Sequence, residues 1–123
     1  MRLLMRLTSA VLILFVSIML VGCSQQQSTL LGKQTGRKTQ HSIAEVQHLK
    51  LATPVSIQGT MVEKCPVAGC WFKLHDQTGI IKVDTKAAGF TVTEVPLQTS
   101  MTVTGKVVSN GSDKMIQATS LTY

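Results

Sequence analysis

Two cysteines, Cys65 and Cys70, are the residues of this sequence with the clearest chemistry. They enclose the tetrapeptide Pro-Val-Ala-Gly, in which proline and glycine favour a tight turn. In an oxidising compartment such a pair can form a disulfide, and we predict an intramolecular Cys65–Cys70 bond. Closing so short a loop would stabilise a small domain by about 2 kcal/mol.

Two other uses of these thiols remain open. Together with His75 and Met61, they would offer soft ligands to copper or zinc. Their spacing is wider than the Cys-x2-Cys of common zinc sites, however, and no second Cys or His pair follows. The third use is a redox-active dithiol, although thioredoxin-like proteins place Cys-x2-Cys at the start of a helix.

A predicted strand that begins at Cys70 places Trp71, Lys73 and His75 on its outer side, because apolar residues alternate with them. Lys82 lies on the matching side of the next predicted strand. A tryptophan beside lysines can stack on a base or a sugar ring, so these four residues form the candidate ligand face. In the alternative interpretation, Trp71 covers the barrel or packs on the cysteine pair.

The first 22 residues predict export. Residues 7–21 follow two arginines and contain only three polar residues, a run too short for a bilayer span and typical of a signal peptide. The residues Leu-Val-Gly before Cys23 resemble the bacterial lipobox, which implies cleavage before Cys23 and acylation of its sulfur, for example with palmitate. Two or more acyl chains hold a protein stably at a membrane. By the same resemblance, Ser24 favours the outer membrane of a Gram-negative cell, with the protein facing the periplasm.

Residues 24–40 are rich in Gln, Ser, Thr, Gly and Lys, which predicts a flexible tether. Ser42 and Glu45 fit a capping box and predict a short helix over about residues 43–50. Alternating apolar residues then predict five strands, at about 54–64, 70–75, 80–85, 101–107 and 114–119. A turn at residues 76–79 and the Asn110-Gly111 pair separate neighbouring strands.

Five short strands, with a longer connection between the third and fourth, predict a mostly β fold: a five-stranded OB-like barrel. A signal peptide, a flexible tether and one short helix precede it. Gly59 and Gly105 lie in mid-strand, where a small barrel needs sharp bends. The predicted domains are therefore a leader at 1–22, the acylated cysteine and tether at 23–40, and the barrel at 41–123. A small antiparallel sandwich is the alternative.

Several segments carry a resemblance to a known group of proteins: residues 55–62, 65–71, 76–79, 87–90 and 103–107. They look like parts of small exported bacterial OB-fold proteins of the tRNA-anticodon-like type, and the Gly69-Cys70-Trp71 element is similar to one in exported families of unknown function. The resemblance extends over residues 42–123. It implies a fold and a compartment, and it implies no reaction.

The sequence lacks a catalytic triad with a nucleophile elbow, a metalloprotease helix, a phosphate-binding loop and paired carboxylates. We therefore predict a non-enzymatic, lipid-anchored envelope protein that uses no cofactor. Its partners would be the membrane, through acylated Cys23, and an unknown envelope ligand or protein bound by the OB fold. A copper- or zinc-binding protein using Cys65, Cys70 and His75 is one alternative.

Weak binding of single-stranded nucleic acid is the second alternative. Loss of the leader would remove two arginines and leave 10 basic and 6 acidic residues, a net charge of +4. This charge is low for a dedicated nucleic-acid binder, and the candidate face has one aromatic residue. We expect any such binding to be weak and sensitive to salt.

Overall fold

A computed structural model describes residues 1–18, 22, 27–34, 36 and 38–123. The first element is a helix, α1, at Arg2–Ile18, within the predicted leader. Among the described residues, no helix is both long enough and apolar enough to span a bilayer. Cys23 lies outside the described residues, so its acylation stays a prediction.

The remaining elements lie between residues 30 and 122. In chain order they are β1 (Leu30–Gly32), α2 (Ile43–Val46), β2 (Pro54–Lys64), β3 (Trp71–Asp76), β4 (Gly79–Asp84), a 3-10 helix (Lys86–Ala88), β5 (Ser100–Asn110) and β6 (Asp113–Thr122). All five predicted strands are present, and β5 and β6 are each longer than predicted. The structure adds β1, which was not predicted.

Helix α2 begins as predicted and ends early. Glu45 N–H donates to Ser42 Oγ at 3.3 Å, and Ser42 N–H donates to Glu45 Oε2 at 2.6 Å, which confirms the capping box. Beyond Val46 the chain continues as a tighter turn, because Leu49 N–H bonds to Val46 O and His48 N–H to Glu45 O. The α-helix therefore ends at Val46 and does not reach residue 50.

Strands β2 to β6 close into a barrel. β2 pairs antiparallel with β3 and β5, β3 with β4, and β5 with β6. The closing contact is parallel: β4 pairs with β6 through Val83 with Ile116 and Asp84 with Gln117. The order is thus β2-β3-β4-β6-β5 and back to β2, which is the arrangement of an OB fold. The predicted five-stranded barrel is confirmed.

Apolar residues from every barrel strand fill the interior, as the alternating pattern predicted. They are Val55, Ile57, Met61, Phe72, Leu74, Ile81, Val83, Met101, Val103, Val107, Ile116, Ala118 and Leu121. Two further pairs belong to the same core at opposite ends of β3. Ile43 and Val46 of α2 lie at the end of the β3–β4 turn, and Val92 and Val95 lie where β3 begins.

Strand β1 lies inside the segment predicted as a tether. Leu31 pairs with Leu121 and is partly buried against the core. Thr29 and Tyr123 exchange two backbone hydrogen bonds, of 2.6 and 3.0 Å. Composition did not indicate this strand, because the segment around Leu30-Leu31 is polar. Residues 29–32 therefore contact the barrel, within the segment predicted as a tether.

Gly105 allows β5 to pair with two strands at once. It lies opposite Val55 of β2 and opposite Ala118 of β6, and the register of β5 against β6 shifts between Thr104 and Gly105. A Cβ atom at Gly105 would lie 2.2 Å from Gln117 O, well inside van der Waals contact. This mid-strand glycine is therefore required by the close approach of β6, in agreement with the predicted bend.

We expect Gly105→Ala to lower the free energy of unfolding by about 2 kcal/mol or more, because a backbone atom of β6 would have to move. Gly79→Ala is the matched control, since its Cβ would meet only Ile43 Cγ2 at an ordinary 3.6 Å. Urea unfolding of the two variants measures the difference. Equal stability of Gly105→Ala and the wild type would show that β5 and β6 are not this close.

Asp76 ties α2 to the turn between β3 and β4. Its Oδ2 accepts the N–H of Ile43 at 2.8 Å, and its Oδ1 accepts the N–H groups of Thr78 at 2.7 Å and Gly79 at 3.1 Å. Burial raises the pKa of Asp76, but hydrogen bonds from Thr78, Ile43 and Gly79 outweigh it and hold the pKa below its usual value. The ionised carboxylate therefore stabilises the fold.

We predict that Asp76→Asn lowers the free energy of unfolding at pH 7 by about 1–3 kcal/mol, because an amide cannot accept on both sides. A lowered folded-state pKa contributes stability that is complete above the unfolded pKa and is lost as the pH falls through the folded one. The difference between wild type and variant should hence shrink below about pH 4. Unfolding curves at pH 7 and pH 3 measure this, with exposed Glu94→Gln as control; a difference that does not change with pH would contradict it.

Candidate functional site

The register of β3 against β4 places the predicted ligand residues on the outside of the barrel. Trp71 lies opposite Asp84, Lys73 opposite Lys82, and His75 opposite Ile80. The residues between them on both strands are buried in the core. Trp71, Lys73 and Lys82 therefore share one surface, which we call the β3–β4 face.

The indole of Trp71 and the ammonium group of Lys82 are in direct contact. Lys82 Nζ lies 5.2 Å from the centroid of the Trp71 ring, a cation–π geometry. Both side chains are half buried. A ring that stacks on this side of Trp71 must displace Lys82, whereas an anionic group can bind Lys82 while the indole holds it in place.

Glu63 joins this face through an irregularity in β2. The register of β2 against β3 shifts between Met61 and Glu63, so Glu63 lies opposite Lys73. Glu63 Oε2 is 3.1 Å from Lys73 Nζ. Glu63 could not be assigned to this face from the sequence, because strict alternation of apolar residues does not indicate a bulge. The sequence did carry one sign of the bulge: Glu63 lies two residues after the buried Met61, where strict alternation would bury an acid.

These contacts offset a repulsion between two lysines. Lys73 and Lys82 are direct cross-strand neighbours, and like charges in such a position destabilise a sheet. Glu63 binds the first lysine and Trp71 the second. Beside them is an open groove of about 570 Å³, lined by Gln47, Val62, Glu63, Lys73, Ile80, Ile81, Lys82, Asn110, Asp113 and Lys114.

His75 belongs to a different groove. It is exposed near the end of β3 and, with His41 and Asp76, lines a polar groove of about 570 Å³ beside the β3–β4 turn. His41 Nδ1 is 4.0 Å from Glu45 Oε2. His75 is on the outer side of β3, as predicted, but it lines a different groove from the one beside Lys73 and Lys82.

The segment from Cys65 to Cys70 forms a closed turn at the start of β3. Cys65 N–H donates to Trp71 O at 3.0 Å, and Gly69 N–H donates to Cys65 O at 3.3 Å. Gly69 has φ +58°, and a Cβ there would lie 2.6 Å from Thr93 Oγ1. Glycine therefore permits both the turn and its contact with residues 91–95.

Both cysteines are free thiols in this structure, and both are partly exposed. Hydrogen bonds from the backbone N–H groups of Ala68, Val67 and Gly69, together with the Cys70 thiol, lower the pKa of Cys65 to about 7. They do so because they stabilise the thiolate more than the thiol. The predicted disulfide stays a prediction.

Two lysines bind backbone carbonyls near the ends of the barrel. Lys64 Nζ donates to Val95 O at 2.6 Å and to Thr93 O at 3.0 Å, which holds residues 92–95 against β2. Lys114 Nζ donates to Gln47 O at 2.9 Å and also to Leu49 O, just beyond α2. These two ammonium groups are bound to main-chain carbonyls and position that backbone.

The model of the family described as "Bacterial OB fold (BOF) protein" matches residues 20–122. The chain belongs to the BOF family. This membership, together with the strand order, confirms the predicted resemblance to small OB-fold proteins. The description of the family names a fold and no reaction.

Among solved structures, this BOF protein is similar to the hypothetical protein ygiW from E. coli. The TM-score is 0.51 with 18% sequence identity, and the match covers 68% of this chain and 94% of that one. At this identity the likeness shows the fold alone. No curated protein matches the chain.

The barrel does not bring the four residues of the metal alternative together. Met61 is fully buried in the core. His75 is five residues along the strand from Cys70, or about 16 Å in an extended chain. Within the described part of this BOF protein, no group of three or more His, Cys, Asp or Glu residues is placed to hold a metal ion. The copper or zinc alternative therefore has no assembled site there.

Proposed function

We propose that this BOF protein is a non-enzymatic, lipid-anchored binding module of the bacterial envelope, which takes its ligand on the β3–β4 face. The observation that carries the proposal is the contact between Lys82 and Trp71 beside Lys73. OB folds commonly bind ligands across the corresponding strands of the barrel. The family membership supports a small protein of the binding type.

The composition of this face limits the chemistry of the ligand. Lys73 and Lys82 share this surface with the carboxylates of Glu63 and Asp84, so the positive charge left for a ligand is local to Lys82, beside the indole ring. Such a site suits an anionic group attached to a ring, because the ring takes the place of the Lys82 ammonium over Trp71 while the attached anion keeps that ammonium bound. Lys73 is already paired with Glu63, so a ligand that binds Lys73 must compete with that carboxylate.

The same composition argues against tight binding of nucleic acid. Proteins that track single strands stack successive bases on several aromatic side chains. This face has one indole, and Trp71 is the only tryptophan of the chain. We therefore retain single-stranded nucleic acid only as a weak, salt-sensitive ligand, dependent mainly on contacts to phosphates.

Fluorescence of Trp71 reports on the proposed site directly, since no other tryptophan contributes. We expect a saturable change on titration with a sulfated oligosaccharide at low salt, and about tenfold weaker binding by Lys82→Ala. Lys106→Ala is the matched control, because it removes the same charge from an exposed position on β5. Equal weakening by both variants would indicate a general charge effect and contradict a site on this face.

A single-stranded oligonucleotide serves as the second probe in the same titration. We expect its affinity to fall steeply with salt. Sub-micromolar affinity that persists at about 150 mM salt and is lost in Trp71→Ala would establish the nucleic-acid alternative in place of the proposal.

The membrane anchor is the other half of the proposal. Its support is the cationic start of the sequence, the short apolar run and the lipobox-like residues before Cys23. A tether of polar residues would then separate the anchor from the barrel. With Ser24 after the cysteine, we propose the outer membrane, with the barrel in the periplasm.

We predict that Cys23→Ser abolishes labelling by radioactive palmitate and releases the protein from the membrane fraction, because the acylated sulfur is removed. Cys65→Ser is the matched control and should keep both labelling and membrane association. If Cys23→Ser is still labelled and still sediments with membranes, the anchor is not at Cys23.

A further inference from the structure

The turn from Cys65 to Cys70 lies at the start of β3, beside the β3–β4 face and separate from it. Three backbone contacts fix its shape: Cys65 N–H to Trp71 O, Gly69 N–H to Cys65 O, and Val92 N–H to Gly69 O at 2.9 Å. Thr85 N–H also bonds to Cys70 O at 3.0 Å. The barrel thus holds the positions of both cysteines, and the tip of the turn is open to solvent, with Val67 89% exposed.

The closed turn places Cys65 and Cys70 at its two ends, because Gly69 N–H bonds back to Cys65 O and Cys65 N–H bonds to Trp71 O, the residue after Cys70. Hydrogen bonds from the backbone N–H groups of Ala68, Val67 and Gly69 and from the Cys70 thiol lower the pKa of Cys65 to about 7. A thiolate accepts such bonds more strongly than a neutral thiol does, so these donors favour an ionised Cys65.

Charged groups on the neighbouring elements are not the cause of the lowered pKa of Cys65. Lys64 Nζ is bound to the carbonyls of residues 92, 93 and 95. Asp84 accepts the N–H of Lys86 at 2.9 Å, and Lys86 and Glu94 are exposed. The donors at the sulfur therefore belong to the turn itself and to Cys70.

We propose that Cys65 and Cys70 form a reversible dithiol–disulfide pair that exchanges with disulfides of small thiols, with Cys65 as the attacking sulfur and Cys70 as the resolving one. The proposal goes beyond ligand binding and does not depend on the membrane anchor. It selects, among the uses of these thiols that the sequence left open, the redox-active one.

The exchange has two balanced steps. The Cys65 thiolate attacks one sulfur of a disulfide R–S–S–R, forming Cys65–S–S–R and releasing RS⁻, which takes the proton of the Cys70 thiol. The Cys70 thiolate then attacks the Cys65 sulfur and releases a second RS⁻, which is protonated by water. Two electrons pass from the cysteine pair to the small disulfide, which becomes two thiols.

The same donors explain why the bond would be reversible. Stabilising the thiolate of Cys65 favours the reduced pair, because the disulfide sulfur loses the charge that the N–H groups bind. In a structural disulfide the oxidised form is favoured over the two thiols, and the bond resists reduction by small thiols. Partial exposure of both sulfurs gives a small thiol access in either direction.

The first experiment follows alkylation of the single-cysteine variant Cys23→Ser/Cys70→Ser, in which only Cys65 remains and the serine hydroxyl at position 70 can still donate to it. The rate should reach half its maximum near pH 7, and near pH 8.5 in the same variant unfolded in urea. At pH 6 the folded variant should react about fivefold faster, because ~30-fold more thiolate outweighs its ~5-fold lower nucleophilicity. Equal midpoints in the folded and unfolded states would overturn the role of Cys65.

The second experiment incubates the full chain carrying Cys23→Ser, which leaves Cys65 and Cys70 as its two cysteines, with glutathione disulfide at pH 7 and analyses it by mass spectrometry. This parent protein should lose two hydrogens without retaining glutathione. Adding Cys70→Ser should leave one glutathione on Cys65, and adding Cys65→Ser should slow the reaction. Excess reduced glutathione should then restore both thiols of the parent protein. Failure to form the internal bond, or a bond that glutathione cannot reduce, would overturn the proposal; the second result would establish a structural disulfide instead.

These outcomes are independent of the ligand titrations. The variants used here leave Trp71, Lys73 and Lys82 unchanged, and the probe is a small disulfide with no affinity assumed for the β3–β4 face. A protein that fails to bind the sulfated oligosaccharide can still exchange disulfides, and the reverse also holds.

Discussion

The whole structure depends on β6 having partners on both of its sides. Along one side it pairs with β5, and along the other with β4 and then β1. Without the parallel contact between Val83 and Ile116, the sheet would have two open edges and its apolar face would be exposed. In the same barrel, β5 approaches β6 so closely that only glycine fits at position 105. Closure of this small barrel thus rests on one short parallel pairing and one missing side chain.

Closure of the barrel also limits the positions at which ligand-binding side chains can lie. Every second residue of the barrel strands fills the interior, so ligand-binding side chains are restricted to the outer positions and to the ends of β3. At one end the Asp76 carboxylate joins α2 to the β3–β4 turn. At the other, Cys70 leads directly into Trp71, so the cysteine turn and the β3–β4 face share a peptide bond.

Alternation and turn chemistry were sufficient to predict the five barrel strands, the capping box of α2 and the outward direction of Trp71, Lys73 and Lys82. The strands, the capping box and these side-chain directions all depend on residues that are close together in the sequence. What the sequence did not indicate depends on pairing across the barrel. Strand β1 pairs with residues 120–122 of β6, which β4 does not cover, and Glu63 lies opposite Lys73 only because the register shifts after Met61.

The positive charge of the chain is less available to ligands than its sum suggests. Lys64 and Lys114 bind main-chain carbonyls that would otherwise lack partners where residues 92–95 and the end of α2 meet the barrel. Lys73 is paired with Glu63, and Lys82 lies over Trp71. A ligand on this surface consequently gains little from long-range attraction. Its affinity must come from fitting the short distance between one ammonium group and one indole, which favours selectivity for a small anionic ring over strength of binding to any extended polyanion.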